Sequence, residues 1–404
     1  MMTHQPETTI QGPAGFVAGG VQAGIKKSGR ADMGAILCEV PATVAAVMTK
    51  NRFCGAPVTL NRERIAKSAT SRGVVVNSGI SNVCTGEEGV ENARAMARLI
   101  EMESGSEEES FLVASTGVIG EKLPMDKIAM AMPQLVASLS PEGFGLFARA
   151  IMTTDTVPKV SRRTVAADEG GREAVVLGIC KGSGMIEPNM ATMLAFIVTD
   201  YPLTPELAKS SLTAAVSRTL NRVTVDGDTS TSDTTVLLSS GLAFDRDDAS
   251  AASDKRFVAA LTEVCADLAR AIARDGEGAR HLITIDVVGA ADEESAHRIA
   301  KTVANSPLVK TAIFGRDPNW GRITAAAGRS GIEFDPDEVS LELQGRLIFE
   351  RGRPRQFDRA ELIELLGRDE VDIRLTVGNG AGASRVWTCD MTYDYIKINA
   401  EYTT

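Results

Sequence analysis

Histidine is rare in this chain: three residues, His4, His281 and His297, among 404. A zinc site built from imidazoles, or an imidazole base beside a serine or cysteine nucleophile, therefore has almost nothing to draw on, and no metal site is expected. Aromatic residues make up only 4%, which leaves few platforms for stacked bases. Basic residues number 43 against 53 acidic ones, a net charge of −10, and they cluster only in short mixed stretches such as Arg351-Gly-Arg-Pro-Arg355. That balance excludes a phosphate-backbone footprint, and no nucleic-acid partner is expected. The six cysteines (Cys38, Cys54, Cys84, Cys180, Cys265, Cys389) contain no Cys-x-x-Cys pair and read as small core residues of a reduced protein. The first residues show neither the basic nor the apolar region of a secretory leader. The longest apolar stretch, Met190 to Val198, is too short to cross a bilayer, so a cytoplasmic protein without membrane contact is expected.

What is present is an ordinary globular composition, 44% hydrophobic and 24% charged, in a chain long enough for two or three lobes around a large core. Short β-rich runs alternate with 3.6-residue periodicities, which predicts a mixed α/β fold. Val74 to Val76, Phe111 to Val113, Ala174 to Ile179 and Leu194 to Val198 read as buried strands. Thr85-x-x-Glu88 reads as a capping box opening a helix that buries Val90, Ala93, Ala97 and Ile100. Thr204-Pro205 opens a second helix, with Leu212, Val216 and Leu220 inward. A third buries Phe257, Leu261, Val264, Leu268 and Ile272 and stops at Gly276, and Asp358-x-x-Glu361 opens a short fourth. The last third reads as strand-rich: His281 to Val288, Val309 to Phe314, Val339 to Leu343, Leu347 to Phe349, Val371 to Val377, and a long bent strand or hairpin from Arg385 to Asn399. The polar breaks at Glu101 to Glu109 and Asp245 to Asp254 read as surface loops, and no internal repeat or linker divides the chain.

No dinucleotide fingerprint, phosphate-binding loop, zinc-protease motif or nucleophile elbow occurs. Gly378-Asn-Gly380-Ala-Gly382 precedes a strand instead of a helix and reads as a tight turn. There remain polar, glycine-rich loops at strand ends: Asn77-Ser-Gly79, Ser115-Thr-Gly117, Thr153-Thr-Asp155, Lys181-Gly-Ser-Gly184 with Pro188-Asn-Met-Ala-Thr192, Asp226-Gly-Asp-Thr-Ser-Thr231, Asp275-Gly-Glu-Gly278 and Asp317-Pro-Asn-Trp-Gly321. Each can be a simple turn; together they suggest a pocket of hydroxyls and backbone amides for a polar small molecule. The sharpest is the segment ending at Thr192, just ahead of an apolar strand. A lone threonine there is either a core hydroxyl bonded to backbone or a nucleophile. With no histidine near it in sequence, the recorded way to activate a threonine hydroxyl is its own free α-amine, whose pKa near 8 suits a general base. That requires cleavage between Ala191 and Thr192.

The stretch Lys181-Gly-Ser-Gly-Met-Ile-Glu-Pro-Asn-Met-Ala-Thr-Met-Leu194 resembles the self-cleaving nucleophile segment of the ornithine acetyltransferases, the bifunctional glutamate N-acetyltransferase/amino-acid acetyltransferase family of arginine biosynthesis. Ala23-Gly-Ile-Lys-Lys-Ser-Gly-Arg30, Asn51-Arg with Ala56-Pro-Val58, Cys84-Thr-Gly86, Thr153-Thr-Asp-Thr156, Asp226-Gly-Asp-Thr-Ser-Thr231, Ala273-Arg-Asp-Gly-Glu-Gly278, Ser306-Pro-Leu-Val-Lys-Thr-Ala-Ile-Phe-Gly315, Asp317-Pro-Asn-Trp-Gly-Arg322 and Asn399-Ala-Glu-Tyr-Thr-Thr404 follow the family in order. The resemblance implies a layered α-β-β-α sandwich with a strand-rich C-terminal lobe. It implies cleavage into an α fragment 1–191 and a β fragment 192–404 that assemble as α2β2. Thr192 would take the acetyl group from N-acetylornithine and pass it to glutamate in a ping-pong transfer, with Thr116 and Gly117 as the oxyanion hole and Thr154, Lys181, Thr192, Glu277, Asn399 and Thr404 on the substrate. No cofactor is implied, with acetyl-CoA as a possible further donor. Lys181 suits an α-carboxylate and Glu277 the ornithine cation; His281 and His297 fall outside the site. Ile80, Ser232, Arg280-His281 and the Gly378 to Gly382 loop depart from the family pattern and bear on acceptor range and acetyl-CoA use. Two other readings remain: a self-processing amidase or peptidase with the same threonine, and an uncleaved amino-acid-binding protein.

Overall fold

Two β-sheets, each with helices against it, arise from the alternation of β-branched runs and amphipathic segments; the computed structural model describes residues 9–166, 171–187 and 193–401. The first part of the chain contributes β1 (Phe16–Val21), β2 (Met33–Met48), α1 (Ala56–Lys67), β3 (Thr70–Ile80), α2 (Gly86–Ser104), β4 (Phe111–Val118), α3 (Met125–Ala137), α4 (Phe144–Ala150), β5 (Lys159–Ala166) and β6 (Glu173–Lys181). There follow β7 (Leu194–Thr199), α5 (Pro205–Arg218), β8 (Thr234–Ser239) and α6 (Ala251–Arg274). The last third holds β9 (Leu282–Ala290), α7 (Glu293–Ala304), α8 (Pro307–Phe314), α9 (Trp320–Gly328), β10 (Ser340–Leu343), β11 (Arg346–Glu350), β12 (Arg353–Pro354), α10 (Arg359–Leu365), β13 (Glu370–Thr376), β14 (Gly382–Cys389) and α11 (Tyr393–Glu401).

The first sheet runs β4-β3-β2-β8-β7-β6-β5, with β1 also on β2; the second runs β12-β11-β10-β13-β9-β14. Residues of β2 alternate between two cores, as period-2 strand geometry requires. Ile36, Cys38 and Val44 join Phe147 of α4 on one face. On the other face Ala35 joins the core under α1 to α3, and Ala45 and Val47 join that under α5 and α6. The second sheet buries Ile283, Ile285, Leu341, Leu343 and Ile373 against α7 to α10. The expected mixed, layered α/β class and strand-rich C-terminal lobe hold. Among the described residues no helix is long and apolar enough to cross a membrane.

Local signals explain several elements. The Thr204 hydroxyl accepts from the Leu207 N–H at 3.2 Å, with Pro205 at the first helical position. The Asp358 carboxylate caps α10 through the Ala360 and Glu361 amides. Other expectations need correction. Val309 to Phe314 is helical: Ser306 caps Val309 N–H and Pro307 starts the helix, overriding the β-branched run. The Arg385 to Asn399 strand or hairpin is instead β14 followed by α11. The Thr85 hydroxyl does not cap α2 but donates to Asn82 Oδ1. Glu101 is no loop residue: it lies in α2, 2% exposed, paired with Arg64 at 3.1 Å and accepting from Phe111 N–H. The Asp245 to Asp254 break contains a helical turn, Arg246–Asp248, and the start of α6. Cys84 is exposed and Cys54 half-buried, unlike the other four, which are core residues as expected.

Breaking the buried Arg64–Glu101 pair strands an uncompensated charge. Arg64→Met is expected to cost about 3–5 kcal/mol in urea unfolding, whereas Lys67→Ala, which loses only an exposed pair with Glu109, should fall within about 1 kcal/mol of wild type.

Candidate functional site

The polar loops singled out in the sequence converge. A cavity of about 140 Å³ is lined by Thr116 and Gly117, Thr153 and Thr154, Lys181, Gly184, Ser230 to Ser232, and Glu277. Five of the expected site residues, Thr116, Gly117, Thr154, Lys181 and Glu277, thus share one lining. Thr116 and Gly117 lie at the end of β4, in parallel register with Ser78 and Gly79 of β3. Gly117 has φ +128, and a Cβ there would sit 2.4 Å from the Gly79 carbonyl oxygen. Only glycine lets these two strand ends approach so closely. Lys181, the last residue of β6, is buried and donates to Thr116 Oγ1 at 3.4 Å. Glu277 is also buried and accepts from Asn399 Nδ2 at 2.9 Å, so α11 reaches the cavity from the far end of the chain. A Cβ on Gly184 would strike the Glu277 carboxylate at 2.4 Å.

Ala191, Thr192 and Thr404 lie outside the described residues, as does Pro188. The chain on either side of 188–192 is held by hydrogen bonds. Asp226 accepts from the Met185 and Ile186 amides at 2.7 and 2.9 Å, and the Thr229 hydroxyl donates to the Glu187 carbonyl at 2.9 Å. Met193 accepts from Thr234 N–H at 2.9 Å, and Leu194 pairs with Lys181 across β6 and β7. The Thr229 to Thr231 loop is in turn held by Asn51 Nδ2, Thr49 Oγ1 and Gly55 N–H on its carbonyls.

Sequence reading missed an ion cluster beneath the cavity. The Lys159 ammonium, 2% exposed, sits 2.7 Å from Asp155 and 2.5 Å from Asp275. Asp155 also accepts from the Thr153 and Gly182 amides, and Asp275 from Thr156, while the Asp275 carbonyl takes the Ser183 hydroxyl. Burial pushes the Asp155 carboxyl up, but the Lys159 and Lys181 ammonium groups outweigh it and hold the group well below the usual carboxylate range. Burial opposes the Lys159 charge, and its two carboxylate partners restore and raise its pKa. Asp233 is the opposite case. It is 2% exposed, its Oδ2 has no hydrogen-bond partner, and burial drives its pKa well above the carboxylate range against weaker opposition from Ser230 and Lys181.

Asp390 accepts from the Arg280 and His281 amides and meets His281 Nδ1 at 2.8 Å, tying the start of β9 to the end of β14. His297 lies on α7, away from the cavity lining. Among the described residues no group of three or more His, Cys, Asp or Glu is placed to hold a metal.

Comparison with known proteins agrees on one family. The ArgJ family model matches residues 17–404. The arginine biosynthesis bifunctional protein ArgJ of Thermosynechococcus vestitus is 44% identical over the whole of both chains. That of Thermus thermophilus is 45% identical over 97% of this chain and 99% of its own. A crystal structure of the Bacillus halodurans protein of the same description, 41% identical, superposes with a TM-score of 0.50 over 52% of this chain and 100% of that one.

Lys159→Met leaves two carboxylates unpaired in the interior and is expected to cost about 3–5 kcal/mol by chemical denaturation. Asp233→Asn tests the buried acid. Because its folded pKa lies above the unfolded 3.8, the stability it contributes is complete below that pH and is lost as pH rises toward the folded pKa. The asparagine variant should therefore gain stability relative to wild type progressively as pH rises above the unfolded value of 3.8 in paired urea titrations; an unchanged difference would refute the buried neutral acid.

Proposed function

Because the chain belongs to the ArgJ family, we propose that it is an acetyltransferase of arginine biosynthesis, moving the acetyl group of N-acetylornithine to glutamate through an acetyl ester on Thr192. The observation that carries this reading is the convergence of Thr116, Gly117, Thr154, Lys181 and Glu277 on one cavity. The cavity residue Lys181 is the cross-strand partner of Leu194, which follows Thr192 by two residues in the chain.

Peptide cleavage between Ala191 and Thr192 frees an α-amine that serves as the base for its own hydroxyl. The hydroxyl oxygen attacks the acetyl carbonyl, the amide C–N bond breaks, and the proton passes through that amine to the departing ornithine. Thr116 and Gly117 supply backbone N–H donors to the oxygen on which charge develops. Lys181 takes the substrate carboxylate and Glu277 the ornithine ammonium, with Thr154 and Asn399 beside them and Thr404 at the chain end. Glutamate then enters and receives the acetyl group by the reverse sequence. The fragments 1–191 and 192–404 remain together, since β7 and β8 lie within the same sheet as β1 to β6, and two pairs form α2β2 in the cytoplasm. Acetyl-CoA is a second donor for glutamate.

Intact mass of wild type is expected to resolve two fragments, and Thr192→Ala one uncut, inactive chain; an uncut wild type that still transfers acetyl groups would sink the nucleophile assignment. Gly117→Ala should lower kcat by about 10²–10³ through displacement of an oxyanion donor. Glu277→Gln should raise the KM for N-acetylornithine by roughly tenfold or more, read in steady-state assays that separate acetyl transfer from acetate release.

A further inference from the structure

A second cavity, of about 330 Å³, adjoins the first and shares Gly117 and Thr153 with it. Its wall carries Lys26, Lys27 and Arg30. Many cations elsewhere on this chain meet carboxylates, Arg163, Arg274 and Arg346 among them, whereas none of these three is ion-paired with a described acid. Lys26 Nζ is held by carbonyl oxygens, Ala31 at 2.8 Å and Met152 at 2.7 Å. Arg30 donates to the Thr153 carbonyl at 3.1 Å and to Ser28 Oγ at 3.4 Å. Asp32, the acid nearest in sequence, spends its carboxylate on the Ala23, Ile25 and Lys26 amides, so it shapes the loop that presents the cations. Among the described residues Glu121 is the one carboxylate on this wall.

Carbonyl partners fix the position of an ammonium or guanidinium without cancelling its charge. The wall therefore has a positive excess facing unfilled space; at the Lys26 ammonium burial first, then Arg30 and Lys181, outweigh the Asp32 and Asp155 carboxylates and bring its pKa down to about 8. An anion placed in the cavity relieves that repulsion. A single amino-acid carboxylate does not account for the arrangement, because Lys181 already stands in the smaller cavity for it. Three cations around the larger volume suit a bigger group with several negative charges.

We propose that Lys26, Lys27 and Arg30 form a subsite for the phosphate-bearing tail of a thioester acetyl donor, entered past Gly117. This rests on the acyl-transfer reading above. With the acetyl carbonyl at Thr116 and Gly117 and the tail in the larger cavity, the Thr192 hydroxyl oxygen forms the new C–O ester bond. The C–S bond breaks, and the sulfur leaves with the hydroxyl proton; nothing is oxidised or reduced. N-acetylornithine, which has no such tail, uses the smaller cavity alone. Ile80 on the same wall gives the cavity an apolar side for the uncharged part of the donor.

The test compares donors on the cleaved enzyme. Lys27→Ala/Arg30→Ala is expected to raise the KM for acetyl-CoA by about tenfold or more, with a smaller change for S-acetylpantetheine, which carries no phosphate. Transfer from N-acetylornithine and thermal melting report on the smaller cavity and on folding. Equal acetyl-CoA kinetics in variant and wild type, or an equal loss with all three donors, would overturn the proposal. So would a wild type with no measurable affinity for coenzyme A in calorimetry at low salt. Calorimetry also separates the two readings: salt-sensitive coenzyme A binding lost in the double variant, in an enzyme that fails to transfer acetyl from N-acetylornithine, would sink the proposed function and leave the subsite standing.

Discussion

One buried ammonium links three distant stretches of chain under the cavity. Lys159 lies between Asp155 and Asp275, and each carboxylate uses its remaining acceptor capacity on the backbone or hydroxyls of a neighbouring loop. The Thr153 loop, the turn after β6 and the segment leading to Glu277 therefore share one electrostatic anchor. Removing ions from water is unfavourable, and such a cluster adds little net stability over an apolar replacement. Its value lies in geometry: every partner is specified, so the loops carrying Thr154, Gly184 and Glu277 have one arrangement in which all charges are satisfied. The 116-residue separation between Lys159 and Asp275 means that this arrangement exists only once the first sheet is built.

The same logic places the ends of the segment 188–192. Asp226, Thr229 and Thr234 reach back to Met185, Ile186, Glu187 and Met193, and the loop bearing Thr229 is itself clasped by Thr49, Asn51 and Gly55. The glycines and short polar side chains of these loops form a lattice of hydrogen bonds around a small volume. On the proposed function, such a lattice holds the two ends of the nucleophile segment without an imidazole, and a chain with three histidines then has no chemical handicap.

Elements whose evidence is local were legible in the sequence. α5 and α10 follow from Thr204 and Asp358, and α6 from an apolar stripe, Phe257 to Ile272, that is buried as expected. The failures have physical causes. In α8 a β-branched run hid a helix that its Ser306-Pro307 start makes plain, and α11 buries none of its residues, so no periodicity marks it. Thr116, Lys181 and Glu277 were found through resemblance, since each alone looks like a turn or surface residue. Asp155 and Asp275 stood in polar loops that the sequence marked, but Lys159 carried no signal and nothing joined the three: a lysine that is exposed and one that neutralises two buried acids read alike until the fold brings the acids to it. Asp233, beside Ser232 in a polar run, was equally indistinguishable.

The strand order of the first sheet has a consequence in time as well as in space. β8 inserts between β2 and β7, so β2 pairs with a strand nearly two hundred residues later. Contacts of such long sequence separation form late, and until they form β2 offers an unpaired edge of the sort that recruits other chains into aggregates. A polypeptide parted after residue 191 before this insertion would have to find its missing strand by diffusion. If the chain is cut as proposed, folding first and parting second keeps the search within one molecule and every central strand covered.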